Sequence, residues 1–453
     1  GDRPAADPNL QRLFDGDPIR LGRAYREPED VDRGGRVGRR VHVGCSVTLR
    51  AISYDPPVRA LVVGSGGREH ALAWSLSRSG DLDELHAAPG NPGIAALAHC
   101  HPVRADDHAA LVSLARELRT DLVVVGPEAP LVAGLADELR HRGIAVFGPS
   151  AAAARIEGSK SFAKEVMDAA GVPTARTLPV AQPPCVLKLD GLAAGKGVWV
   201  CRTQDELDSA LRAAQASAQP FHVEELLEGA ELSLFALTAG EAAVAFPPAR
   251  DYKRIGDGDT GPNTGGMGSF SPLPDVADED AGEILATVHL PVLRELVSRG
   301  APFQGLLYAG LISTDHGLRV IEFNCRFGDP ETQSLLPRLE SDLLPLLCGD
   351  LSHSPEVADR AAVTVVLSGG DYPERGDQGT PIEGIESAEA TGALVFHAGT
   401  ALHDGQLVTN GGRILNVVGV GETVAHARTA AYEAAAHIDF AGMHLRTDIA
   451  ANV

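Results

Sequence analysis

The chain has 453 residues, 44% of them apolar and 22% charged, which is length enough for several domains with buried cores. Its formal net charge of −22 argues against a broad nucleic-acid surface, and no run of about 18 apolar residues is present to span a membrane. Six scattered cysteines without a CxxC pair argue against a zinc or disulfide framework and fit a reducing cytoplasm.

Residues 1–57 are rich in Arg, Asp, Gly and Pro and read as a disordered extension, with one strand at 41–49. Apolar runs at 60–63, 121–125 and 144–147 read as strands. A helix is expected over 68–77, and Leu111, Leu114, Leu118 and then Leu131, Leu135, Leu139 recur at helical spacing. Strands alternating with helices predict a doubly wound α/β domain over 58–157. Residues 158–350 mix glycine-rich loops with strands at 186–189, 198–201, 222–225, 233–237, 306–312 and 318–323, an α+β pattern. The tail, 351–453, reads as a small α+β domain with strands at 362–367, 393–397 and 413–420 and a helix over 424–437.

Only five residues are lysine, namely Lys160, Lys164, Lys188, Lys196 and Lys253, while arginine does the general surface work. A compact ammonium suits phosphate as a point charge, so their clustering suggests positions that need one. The turn Gly64-Ser65-Gly66-Gly67-Arg68 ends the first strand, where glycines admit a phosphate at a helix N-terminus. Glu69 stands where a dinucleotide fingerprint has its third glycine, which argues against a nicotinamide oxidoreductase. A tight turn without a ligand is the plain alternative.

Lys188, Asp190, Gly191, Gly195, Lys196 and Gly197 form a glycine-rich connection between two strands, able to offer amides and ammonium groups to a polyphosphate. The Asp190 charge calls for the lysines or a metal nearby; a structural hairpin is the alternative. Lys160 and Lys164 stand one helical turn apart at a helix start. Glu224, Glu225 and Leu227 end a strand where a ribose and an adenine edge can be met, or where a charged loop simply turns. Asp251 and Lys253 precede a long glycine-rich loop holding Asn263, Thr264, Gly265 and Gly266, costly to order unless it serves a ligand. Glu322 and Asn324 share one face of a strand and offer two oxygens suited to Mg²⁺. Arg326 follows on that face if the strand continues, as a clamp for a carboxylate or phosphate or as half of a buried ion pair.

The strings GSGGREHAL, APGNPG, VGPEAPLVAG, EGSKSFAK, DGLAAGKGV, DTGPNTGGMGSFSP, EFNCRFGDPETQ, VTNGGRILNVV and LRTDI resemble, in this order, the phosphoribosylamine–glycine ligase family of the ATP-grasp superfamily. The resemblance covers 59–449. It implies a multidomain α/β and α+β fold: an N-terminal Rossmann-like substrate domain, an ATP-grasp domain with a glycine-loop subdomain at 174–230, and a small C-terminal α+β domain. It implies ligation of glycine to 5-phosphoribosylamine with ATP and Mg²⁺ or Mn²⁺, by a cytoplasmic monomer acting on small molecules, without nucleic acid or membrane. Lys160, Lys188, Asp190, Gly191, Gly195, Lys196, Gly197, Glu224, Glu225 and Leu227 would hold ATP, and Glu322 and Asn324 the metal. Gly64, Gly66, Gly67, Arg68, Gly126, Pro127, Glu128, Asn263, Thr264, Gly265 and Gly266 would shape the substrate pocket. Arg326, Lys253 and Asp251 would serve the reacting groups. The connection between Thr174 and Val186 is shorter than the family's, and its prolines disfavour the usual helix. Another ATP-grasp ligase or carboxylase and a non-catalytic nucleotide-binding protein remain as competing readings.

Overall fold

The structure is a computed structural model that describes residues 57–192, 197–276 and 280–453. The expected extension, with its strand at 41–49, lies outside the described residues, as do Gly195 and Lys196.

Five parallel strands form the first sheet in the spatial order His99–Cys100, Leu82–Pro89, Val58–Gly64, Leu122–Val125, Ala145–Phe147. The central strands are almost wholly buried, as expected where helices cover both faces of a parallel sheet. Strand order reverses at Val58–Gly64, so a crevice opens between its carboxyl end and that of Leu122–Val125. The Leu82–Pro89 strand escaped the sequence reading because it opens on exposed Asp83 and Glu84 and buries only Leu85, His86 and two alanines. The Leu131, Leu135, Leu139 repeat is not one helix. It is split into Glu128–Val132 and Leu135–His141 by Gly134, whose φ of +97° breaks the helical path.

A second sheet is antiparallel, in the order Ala242–Ala245, Ala230–Ala239, Gln304–Thr314, Gly317–Asn324. A third, smaller one orders Val198–Cys201, Cys185–Leu189 and Phe221–Glu225, and the helix Gln204–Ser217 packs on it. Cys185, Leu187, Cys201, Leu207 and Ala210 give this subdomain an apolar cluster of its own, so it can shift as a body. The short connection before it runs extended: Thr174 bridges to Val320 and Thr177 to Glu224, and no helix forms there.

The tail is less separate than its sequence suggests. Its five-stranded sheet runs Arg250–Asp251, Gly268–Ser271, Ala361–Ser368, Arg413–Gly421, Leu394–His397, so two of its strands come from the region before residue 350. The expected glycine-rich loop is therefore largely structured. It holds the hairpin Arg254–Gly256 with Thr260–Asn263, followed by the strand Gly268–Ser271.

Candidate active site

At the crevice of the parallel sheet, Glu69 is buried and reaches beneath the glycines. A Cβ on Gly126 would come within 2.0 Å of its Oε1, so only glycine fits there. Glu69 accepts from the Gly66 amide at 2.6 Å and from Arg68 Nε at 2.6 Å. The Gly66 amide is thus engaged by the protein's own carboxylate. Beside this turn is a cavity of about 410 Å³, bounded by Ser65, Gly66, Asn91, Thr400, Asn410 and Arg413 among others. Its tail-derived wall was not singled out in the sequence. The strings APGNPG and VTNGGR carried Asn91, Asn410 and Arg413, but nothing in their spacing says they meet.

Two of the five lysines converge on one carboxylate. Glu224 is 3% exposed and lies 2.7 Å from Lys188 Nζ, 3.0 Å from Lys164 Nζ and 3.0 Å from His222 Nε2. Burial disfavours its charge, but the His222 hydrogen bond and the two ammonium groups outweigh that and hold its carboxyl down at about 2. Glu224 is therefore occupied by cations in this structure and does not stand open to a ribose. Glu225 pairs outward with Arg176 at 2.6 Å, and Leu227 is half-buried. Lys188 also donates to the Ile321 carbonyl at 3.0 Å, and Lys160 to that of Gly191 at 3.0 Å. Burial lowers the Lys160 pKa, opposed chiefly by the Glu322 carboxylate. Asp190 needs neither lysine nor metal, because it accepts from the Ser161 hydroxyl at 2.7 Å and the Ser161 amide at 3.3 Å, at a helix N-terminus. The Gly197 carbonyl accepts from the Leu189 amide.

A second cluster has the opposite sign. Lys253 Nζ lies 2.8 Å from Glu231 and 3.7 Å from Asp251. Tyr308 donates to buried Glu331 at 2.7 Å. Burial pushes Asp251 up to about 7. Lys253 opposes the shift, while Glu331, Glu231 and Glu322 add to it. Glu322 makes no hydrogen bond or ion pair among the described residues, and it shares a strand face with Asn324, the arrangement the sequence predicted. Among the described residues no three acidic, histidine or cysteine side chains form a ready metal cage. A carboxylate and an amide oxygen amid surplus negative charge fit a hard divalent cation that takes its remaining ligands from phosphates and water.

The strand ends at Asn324, so Arg326 lies beyond it. Its guanidinium meets Glu128 at 3.2 Å, Glu157 at 3.2 Å and Asn324 Oδ1 at 3.4 Å, and with Arg68 it donates to the Phe327 carbonyl. The ion-pair alternative is what the geometry displays. This pair ties Glu128, which follows Gly126 and Pro127 at the crevice, to the strand of Glu322.

Asn263 donates to the Val198 carbonyl at 3.4 Å. Buried Thr264 bonds to the Lys253 carbonyl and accepts from the Gly266 amide. The Gly265 amide goes to the Tyr372 hydroxyl and its carbonyl to Arg413.

Known proteins match most of the chain. Family models for the N, ATP-grasp (A) and C domains of phosphoribosylglycinamide synthetase match residues 58–157, 158–332 and 362–452. The phosphoribosylamine–glycine ligase of Streptomyces coelicolor is 49% identical over 415 residues, covering 87% of this chain and 99% of that protein. The Mesorhizobium japonicum enzyme of the same name is 48% identical, covering 86% of this chain and 97% of its own. This chain belongs to the phosphoribosylamine–glycine ligase family. The crystal structure of the family's Thermotoga maritima enzyme superposes with a TM-score of 0.73 at 34% identity, covering 86% of this chain and all of that one. The biotin carboxylase domain of Hydrogenobacter thermophilus 2-oxoglutarate carboxylase, 16% identical at a TM-score of 0.65 over 86% of this chain and 92% of its own, shares the fold alone. The ligase family's ATP-grasp architecture uses ATP with a divalent metal.

Proposed function

We propose that this chain joins glycine to 5-phosphoribosylamine, driven by ATP, through a glycyl phosphate, with the residues described above in the following roles. The observation that carries the reading is the Lys188 contact with Ile321. It sets an ammonium group one residue from Glu322, so the phosphate ligand is tied to the strand that carries the metal ligand.

Lys160 and Lys188 hold the ATP phosphates, and the loop from Asp190 through Gly191 to Gly197 closes over them. Glu224 keeps Lys188 and Lys164 aimed, while the segment from Glu225 to Leu227 seats the base and ribose. Glu322 and Asn324 hold Mg²⁺ or Mn²⁺, which when bound would neutralise phosphate charge. Asp251 and Lys253 position glycine beside this centre. The glycine carboxylate attacks the γ-phosphate, and the resulting acyl phosphate is attacked by the amine of phosphoribosylamine, with phosphate leaving. No protein nucleophile is required. Orientation and charge neutralisation supply the rate.

Phosphoribosylamine occupies the cavity lined by Gly66, Asn91 and Arg413, and Gly64, Gly67, Arg68, Gly126, Pro127, Glu128, Thr264, Gly265 and Gly266 shape the substrate pocket around it. Arg326 acts by linking Glu128 to Asn324 rather than by free contact with substrate. A cytoplasmic, monomeric enzyme is part of the proposal; sizing by light scattering tests the second point.

The decisive assay follows ADP release from ATP with glycine, with fresh phosphoribosylamine, and with both. ADP that requires both substrates and matches glycinamide ribonucleotide supports the reading, whereas release indifferent to either substrate would sink it. In the same assay Lys188→Ala should lose on the order of 10²-fold in kcat, the scale of one lost charge-stabilising contact.

A further inference from the structure

The hairpin Arg254–Gly256 with Thr260–Asn263 has little core of its own: residues 257–262 are exposed. Its roots are fixed, since Thr264 bonds to Lys253 at the acidic cluster. Its far part is held almost entirely by the tail. Arg446 is buried and donates to the Arg254 carbonyl at 3.1 Å and to Asp259 at 2.8 Å, while Asp448 braces its other nitrogens at 2.7 and 2.6 Å. The Thr447 amide and hydroxyl both go to Asp257, the Gly258 amide goes to Asp448, and the His444 ring meets the Ile255 carbonyl. The Arg446 guanidinium also lies 4.8 Å from the centre of the Tyr252 ring. The opposite side of the hairpin faces the small glycine-loop subdomain. Asn263 reaches the Val198 carbonyl, and a cleft of about 530 Å³ separates Arg254 and Pro262 from Trp199, Glu206 and Ser209.

We propose that Arg446, with Thr447 and Asp448, is a positioning residue for that subdomain. The tail fixes the hairpin as the stop against which the Val198–Cys201 strand docks when the small subdomain holds ATP. Neither the family comparisons nor the sequence motifs assign this role to the LRTDI string. Asn263 then serves the loop rather than the substrate. The inference rests on the ligase reading above. A closed subdomain keeps water from the acyl phosphate. A displaced stop lets water cleave that mixed anhydride, returning glycine and phosphate, so ATP is consumed without product.

The test measures ADP and glycinamide ribonucleotide together, with the full chain at saturating substrates. Wild type should give an ADP-to-product ratio near one. Arg446→Ala should raise the ratio at least about threefold, because closure of the subdomain is what excludes water, with Arg446→Lys restoring part of the coupling. Exposed Thr447→Val and half-buried Asn263→Ala should raise it less, and they carry the test if Arg446→Ala fails to fold. ADP and product falling in parallel at a constant ratio in these variants would overturn the proposal, since a merely structural defect lowers both alike. Wild type that makes no product would instead overturn the ligase reading, and this inference with it.

Discussion

Two buried carboxylates face opposite fates in this protein. Glu224 sits among Lys188, Lys164 and His222 and is held down at about 2, whereas Asp251 sits near Glu231, Glu331 and Glu322 with Lys253 as its close cation and is pushed up to about 7. Burial opposes the charge of both, so the sign of the neighbours decides. One cluster has cations to spare and suits an anionic ligand. The other has anions to spare and suits a cation. Lys188 touches the strand that carries Glu322, so the two meet where a metal–phosphate complex would bridge them.

The strongest way to break this comparison is at the acidic cluster. Glu322→Ala should lower kcat by on the order of 10³-fold, the scale of a lost preorganised electrostatic contact, with the circular dichroism spectrum unchanged; retained turnover would remove Glu322 from the metal site. Stability should separate the two clusters next. Glu224→Gln leaves two ammonium groups without their counter-charge and should cost about 3–5 kcal/mol in urea unfolding. Asp251→Asn relieves repulsion and should leave the urea midpoint at pH 8 unchanged or raised, while activity falls. Equal destabilisation by both changes would show that the clusters are alike.

The pH dependence carries the same contrast. Because the Glu224 pKa is depressed on folding, its contribution is complete above its unfolded value near 4.5 and is lost as pH falls toward about 2. The Asp251 pKa is raised, so the native state binds the extra proton and stability declines as pH rises from about 4 to about 7. Binding of metal and ATP at pH 7 should therefore expel up to about half a proton from Asp251, seen as a binding enthalpy that varies with buffer ionisation enthalpy. A buffer-independent enthalpy would place Asp251 away from the cation. The smallest effect is expected at the rim: Arg176→Ala removes an exposed partner of Glu225 and should leave the melting temperature unchanged within error.

Much of this was legible in the residues. Alternation of strand and helix marked out the parallel sheet, and period-two spacing put Glu322 and Asn324 on one face. What escaped was long-range pairing. Glu224 read equally as a ribose ligand or as part of a charged loop, because its cations come from positions 164 and 188. Arg326 read as a clamp or as half of an ion pair, because the partners that decide, Glu128 and Glu157, both come from the distant first domain. The 257–268 stretch looked like a loop because glycines hide strand character and its anchors lie at 444–448. Spacing along the chain reports local geometry. It says little about which distant charges meet.

The shared sheet has a consequence for how the molecule is made. Beyond the short Arg250–Asp251 strand, Gly268–Ser271 gains its second neighbour only when 361–368 has been synthesised, and that strand in turn waits for 413–421. Until then the emerging chain carries an unpaired strand edge, a template for wrong partners. The tail is accordingly no detachable module. Cutting near residue 350 would remove the neighbour of a strand that follows directly on the glycine-rich loop. A tail exchanged between relatives would have to bring a matching register, not merely a compatible surface.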